Sequence, residues 1–173
     1  TIEANISAFW DVSPSAWYYH DIAKAVNMQV LKGDASGTMR PDDFITRQEV
    51  MAVIARALVL EDTDFSVLNK FNDKSLVSDW AKPYASILVK KGYINGNTLG
   101  NISPLDNITR EEFAQMMHNI FKKYYVLTGT VNDETINDCA LIRTPGVTLQ
   151  NVTIEGDLVL GDGVGRGDVT LIN

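Results

Sequence analysis

The chain repeats itself, and a repeat restricts the possible folds more sharply than any composition does, because both copies must adopt one supersecondary unit. Trp17 aligns with Trp80, Gly33 with Gly96, Pro41 with Pro104, and Thr46 and Arg47 with Thr109 and Arg110, each at an offset of 63. Phe9 and Asp11 match Phe71 and Asp73 at 62, one residue short. Two units therefore fill residues 9–121 of the 173, each in the same order: Phe-x-Asp, a Trp, a helix, a glycine loop ending in Pro, then Ile-Thr-Arg-x-Glu and a second helix.

The second helix of each unit carries apolar residues at helical spacing. Val50, Val53, Ile54, Ala57 and Leu58 form one such face, and Phe113, Met116, Met117, Ile120 and Phe121 the other. Thr46 with Glu49, and Thr109 with Glu112, fit the capping box, and Ile45 with Val50 and Ile108 with Phe113 add a hydrophobic staple. The first helices are expected over 16–26 and 79–91, with Gly92 as a left-handed stop. Residues 61–64, three acidic side chains and a Thr, read as an exposed linker. The implied modules are 1–62 and 63–125.

After Tyr125 the period changes to alternation. Val169, Thr170 and Leu171 restate Val147, Thr148 and Leu149 after 22 residues, among Gly-Asp turns. Residues 126–173 are therefore expected to form coils of a short right-handed β-solenoid, giving an α+β multidomain chain: helix-loop-helix modules followed by solenoid. An open solenoid end exposes strand edges, so the natural protein is expected to continue past Asn173, and Thr1 in place of Met fits either a processed mature form or an excised segment.

Fifteen basic against 22 acidic residues give a net charge of −7, which argues against nucleic acid as a partner. The charge is uneven: 5 basic and 7 acidic residues over 1–60, 8 and 8 over 61–125, and 2 and 7 over 126–173. The near-neutral helical units can thus present Arg47 and Arg110 locally to an anionic polymer. No apolar stretch approaches the ~20 residues of a membrane helix. Cys139 is the single cysteine, so an internal disulfide is excluded; His20 and His118 lack ligand neighbours at metal spacing. No cofactor or metal is expected. The loop from Asp34 lacks the later ligands of an EF-hand, and the tripeptide Arg166, Gly167, Asp168 is a turn sequence. No nucleophile elbow or phosphate loop occurs.

With these residues in place, the two units resemble the S-layer homology (SLH) family of bacterial surface proteins, over residues 9–121. The resemblance rests on Phe9 and Asp11, Trp17 and Tyr18, Gly33 and Asp34, Gly37 through Pro41, and Ile45 through Glu49, most of them repeated in the second copy. It implies a non-enzymatic, extracellular module at the cell wall. Its implied partner is secondary cell-wall polysaccharide attached to peptidoglycan, often through a pyruvylated sugar, bound in grooves between modules. The candidate ligand-binding residues are Arg47, Arg110, Trp17, Trp80, Gly33, Asp34 and Gly96. An Arg at the start of a capped helix stands among free backbone amides at the positive dipole end, and its planar fork suits a carboxylate. Trp17 and Trp80 offer faces to a sugar ring, and Gly33 and Gly96 admit close backbone approach. Each has a structural alternative: a surface salt bridge for the arginines, a core anchor with an exposed edge for the tryptophans, a turn for the glycines.

The family usually carries three modules and only two are visible. The second copy has Asn97 for Asp34 and Ser103 for Arg40, so its groove is expected to bind less well. Two competing readings are that the parent protein is a carbohydrate-active lyase or hydrolase, and that the modules self-associate as a scaffold, with a homo-oligomer supplying the missing module.

Overall fold

The computed structural model describes residues 2–173. Its contacts divide the chain into one unit up to Thr109 and another from Arg110 onward.

In the first unit the helices are α1 (Tyr19–Asn27), α2 (Arg47–Ala57) and α3 (Lys82–Lys90), with 3-10 turns at Ser66–Lys70 and Lys74–Leu76. Helix α2 begins where its capping box places it. Thr46 Oγ1 accepts from the Glu49 amide, and the Glu49 carboxylate accepts from Thr46 N at 2.8 Å. Helices α1 and α3 start three residues later than expected. The preceding residues form tight turns instead, with Tyr19 N donating to Ala16 O and Ala81 N to Ser78 O, and Pro83 occupies the first turn of α3. Gly92 does stop α3 at φ +71, where Tyr93 N closes back on Leu88 O at 2.9 Å. Gln29 and Val59 take the same left-handed position after α1 and α2, at φ 60 and 54.

The buried face of α2 is rotated from the expected one. Val50 is buried as expected, but Met51, Ala52 and Ala55 are buried with it, together with Arg47 and Gln48, whereas Ala57 is exposed. The reason is tertiary: α2 is covered by α3 and, at its start, by the loop of the second copy, so polar residues 47 and 48 are enclosed with partners. Residues 61–64 are exposed as expected, Asp62 less so, but the segment is held in place. Asp62 N donates to Pro83 O, and Lys90 Nζ lies 2.5 Å from Asp62 Oδ2 and 3.2 Å from Asp64 Oδ2. The connector is clamped onto α3.

The second unit opens with α4 (Arg110–Ile120), which buries Met116 and Ile120. Phe121, expected on the helix face, instead begins strand β1 (Phe121–Tyr125), so the change of period falls at 121 rather than after Tyr125. Three aromatic residues in five favour the strand, and pairing with a later segment supplies its hydrogen bonds. Strands β1, β4 (Cys139–Ile142) and β7 (Leu158–Leu160) form one parallel sheet. Strands β2 (Gly129–Asn132), β5 (Val147–Gln150) and β8 (Val169–Ile172) form a second, and β3 (Thr135–Ile136) pairs with β6 (Thr153–Ile154). Among the described residues these small sheets do not close into a solenoid; the architecture is α+β with short parallel sheets.

The step between paired residues is 18 at Gly129 with Val147, Thr135 with Thr153 and Ala140 with Leu158. The 22-residue echo visible in the sequence is the pairing of Val147 with Val169. The four extra residues lie between β7 and β8, where the chain makes a 3-10 turn at Asp162–Val164. Ile136, Ala140, Ile142, Val147 and Leu149 fill the interior. Asp133 and Asn151, 18 apart, both take φ near +53 (54 and 52) and are joined by Asn151 Nδ2 donating to Asp133 Oδ1 at 3.0 Å. Asn and Asp tolerate that conformation better than other side chains, so this corner can repeat.

Candidate functional site

The loop that carries Gly33 in the first copy and Gly96 in the second is built by two devices spelled twice in the chain. A Cβ on Gly33 would lie 2.1 Å from Phe9 Cε1 and 2.9 Å from Thr38 O. On Gly96 it would lie 2.6 Å from Phe71 Cε1 and 2.9 Å from Asn101 O. Each glycine is thus the floor on which the phenylalanine of Phe-x-Asp rests, a packing requirement rather than a turn requirement. The Asp of the same motif then clamps the far side of the loop. Asp11 accepts from Met39 N at 3.0 Å and Arg40 N at 2.6 Å, and Asp73 accepts from Ile102 N at 2.9 Å and Ser103 N at 2.7 Å. Burial opposes ionisation of Asp11, but the amides of Met39 and Arg40 prevail and hold its carboxyl below the usual range. The clamp holds Arg40 and Ser103 in the left-handed region, at φ 52 and 51.

Within the loop, Asp34 Oδ1 accepts from Ser36 N at 2.9 Å and Thr38 N at 3.1 Å, while Ser36 Oγ and Thr38 Oγ1 each donate at 2.6 Å. Those bonds, the Ser36 hydroxyl first, hold the Asp34 carboxyl far below the ordinary carboxylate range. Asn97 Oδ1 makes the same two backbone bonds, from Leu99 N at 3.0 Å and Asn101 N at 3.1 Å. The change from Asp34 to Asn97 therefore preserves the two backbone bonds of the loop and removes the charge, while Leu99 and Asn101 replace the hydroxyl donors Ser36 and Thr38.

That charge matters beside Arg40, whose Nε lies 3.6 Å from Asp34 Oδ2 and whose Nη2 pairs with Glu49 Oε1. Burial opposes ionisation of Glu49, but hydrogen bonds from Thr46 and Arg40 outweigh it and keep the carboxyl below its usual value. In the first copy the loop and the helix cap are one ionic network. Ser103 removes the cation from the second copy. Sequence reasoning registered Arg40 only as a difference between the copies; its signal was an Arg nine residues before the capping Glu.

Arg47 does not stand among free amides as expected. Its own N donates to Asp106 O at 2.9 Å, Gln48 N donates to Pro104 O at 2.9 Å, and Glu49 N is taken by Thr46. Its Nε donates to Ile102 O at 3.0 Å, and the residue is only 7% exposed. Thr46 and Asn107 form an antiparallel bridge at the same place. The carbonyls of the second loop have used the anion-binding capacity that a helix start offers. Arg110 holds the equivalent position on α4 and is exposed.

Trp17 is not a core anchor, whereas Trp80 is half-buried, as an anchor with an exposed edge would be. Trp17 is 86% exposed, touching Tyr18 edge-on with ring centroids 5.4 Å apart, and Trp80 is 48% exposed. Among the described residues no group of three His, Cys, Asp or Glu side chains is placed to hold a metal ion.

The model of the S-layer homology domain matches residues 8–51 and 70–114, the two stretches that carry this loop-and-cap architecture. The chain belongs to the S-layer homology domain family. Exoglucanase XynX of Acetivibrio thermocellus is 34% identical over 125 residues, 70% of this chain and 11% of that protein. An amylopullulanase of Thermoanaerobacterium thermosulfurigenes is 32% identical over 119 residues, 66% of this chain and 6% of that one. A cellulosome-anchoring protein of Acetivibrio thermocellus is 28% identical over 120 residues, 66% of this chain and 26% of its own length. The chain thus spans between 6% and 26% of the length of these relatives. SLH domains are anchoring modules, and they place this chain at the cell surface or cell wall of a bacterium. Among the described residues no helix is long and apolar enough to cross a membrane.

Proposed function

We propose that the SLH modules of this chain retain a surface protein on secondary cell-wall polysaccharide attached to peptidoglycan. The observation that carries this reading is the pair Trp17 and Trp80, equivalent aromatic residues kept at the surface in both copies although burial would stabilise each by a few kcal/mol. An indole face left in water is suited to the apolar face of a sugar ring, and its N–H to a ring hydroxyl. Arg110, exposed at the start of α4, supplies a guanidinium group for a pyruvyl carboxylate, whereas Arg47, 7% exposed with its Nε on Ile102 O, shapes the second loop. Gly33, Asp34 and Gly96 contribute by shaping the loops around that surface.

The test is retention on purified sacculi, compared with sacculi stripped of their polysaccharide. Trp17→Ala and Trp80→Ala are each expected to weaken retention about tenfold, the effect of losing one well-placed interface aromatic. Both residues are exposed, so circular dichroism should stay unchanged. Equal retention on intact and stripped sacculi would overturn the reading.

The parallel sheets of the second unit support a finer reading as well: residues 121–173 are coils of a right-handed β-solenoid, whose 18-residue step is repeated by three strand pairs. For the whole protein, relatives named as an exoglucanase, an amylopullulanase and an endoglucanase favour a carbohydrate-active parent, the SLH region being its anchor. New reducing ends after incubation of the full-length protein with polysaccharides would support that reading, and their absence across β-glucans and α-glucans would remove it.

A further inference from the structure

The two copies surround equivalent loops with different charge. Each loop is packed against its Phe-x-Asp segment: residues 33–43 with 8–12 in the first copy, and 96–106 with 70–74 in the second. Four aspartates and Arg40 leave the first set at −3, whereas Lys70 and Lys74 balance Asp73 and Asp106 in the second. Ala8 and Val12 stand in the first copy where those lysines stand in the second, at the offset of 62 that joins Phe9 to Phe71. The shared motif places both lysines beside the second loop. A Cβ on Gly96 would lie 2.6 Å from the Phe71 ring, and Lys70 Nζ sits over that ring, 5.1 Å from its centroid. Lys74 N donates to Phe71 O at 3.4 Å, and its Nζ donates at 2.9 Å to Oδ1 of Asn69, the neighbour of Lys70. Lys24, Lys82, Lys90 and Lys123 are each paired with a carboxylate, but Lys70 and Lys74 are exposed and rest on a ring and an amide. Asp73, which lies between them in sequence, is engaged by the amides of Ile102 and Ser103.

We infer, resting on the polysaccharide binding proposed above, that Lys70 and Lys74 make the second loop a contact for an anionic group of that polymer, a carboxylate or a phosphate. A ring face and an amide oxygen orient an ammonium without neutralising it, so both charges stay in place and uncompensated. Asn97 makes the backbone bonds of the loop without the carboxylate that Asp34 brings to the first. An anion approaching the second loop therefore meets two ammonium groups, whereas one approaching the first meets Asp34, Asp42 and Asp43. Lysine is a compact charge on a flexible stem, suited to a spaced series of anions rather than to one fixed carboxylate geometry. The attraction acts over about 10 Å at moderate ionic strength and is screened by salt. The second copy is thus the one that reads charge, the reverse of the order expected from Asn97 and Ser103 alone.

Retention of the intact 173-residue chain on purified sacculi, measured across salt, tests it. Lys70→Gln combined with Lys74→Gln is expected to bind about twentyfold more weakly at low salt, the effect of removing two unit charges at contact distance in water. At about 0.5 M salt the same variant should lie within about twofold of the parent, because screening has already removed the contribution. Lys70→Arg with Lys74→Arg keeps both charges and should bind as the parent does. Lys122→Glu with Arg166→Glu, at exposed positions of the other unit, makes a larger change in net charge and should also leave retention near that of the parent. Sacculi whose carboxylates have been amidated separate the two sources: loss of the lysine effect there assigns a carboxylate, and its persistence assigns a phosphate. A Gln variant that binds like the parent at low salt, a loss of equal size at both salts, or an equal loss in the Lys122 and Arg166 variant would each overturn the inference. If the parent still prefers intact to stripped sacculi in those cases, only the charge contact falls; if the parent binds both equally, the polysaccharide reading falls with it.

Discussion

The two copies share a loop and diverge in how it is used. In both, a phenylalanine rests on a glycine, an aspartate clamps two amides, and the residue after the clamp sits in the left-handed region. In the first copy the loop is bound by Arg40 to its own helix cap, through Asp34 and Glu49. In the second it has no such cation, and its carbonyls serve the first copy's helix instead. The same backbone is thus a self-contained ionic unit in one place and the binding half of a joint in the other. A repeated motif specifies its local geometry; the role of that geometry is decided by which partner reaches it.

The sharpest way to break this comparison is to fill the shared floor. Gly96→Ala is expected to destabilise the first unit by about 3 kcal/mol, the upper range for overpacking, since a Cβ would meet both the Phe71 ring and the Asn101 carbonyl. Gly33→Ala should do the same against Phe9 and Thr38, and urea midpoints would measure both. If either proved neutral, the glycines would not be serving the phenylalanines.

Next in size is the contrast between equivalent arginines. Arg47→Ala is expected to lose about 2 kcal/mol, because it leaves the Ile102 carbonyl without its buried donor. Arg110→Ala, at an exposed position, should change stability by less than about 0.5 kcal/mol. Equal losses would mean that the two helix starts are alike after all.

A smaller effect separates the helix stops. Val59 occupies the left-handed position at φ 54 that Gly92 fills after α3 at φ 71. Val59→Gly should therefore stabilise the chain by about 1 kcal/mol, and Gly92→Ala should destabilise it by a similar amount, both readable as shifts in Tm.

The smallest expected effect is acid sensitivity. The Asp34 carboxyl is held far below its ordinary value by Ser36 and Thr38, and that of Asp64 at about 2 by the Ser66 amide and by Lys90. The unfolded chain takes up these protons near pH 4, before the folded one does, so the stabilisation is complete above that pH and is lost as pH falls toward 2. Asp34→Asn keeps the two backbone bonds that Asn97 makes but removes the carboxylate, so it should lower the neutral-pH urea midpoint slightly and flatten part of this loss. A steeper acid limb in the variant would contradict that assignment.

Much of this was legible without coordinates. The repeat placed both loops, the capping box placed the start of α2, Gly92 placed the end of α3, and the echo of Val147 in Val169 was a true strand register. These are local or directly repeated signals, in which each residue's role is set by neighbours a few positions away or by its own duplicate. What the sequence could not determine was which surfaces meet. Trp17 and Trp80 carry the apolar character of core residues, yet only the packing of the first unit left them in water. Arg47 and Arg110 occur in the same pentapeptide pattern, yet a loop 55 residues away in sequence buries one of them. Burial and hydrogen-bond partnership across such distances depend on the summed geometry of several elements. The chain therefore spelled out its two loops and their caps, and the tertiary structure alone decided which cap was covered, which aromatic stayed exposed and which carboxylate found a cation.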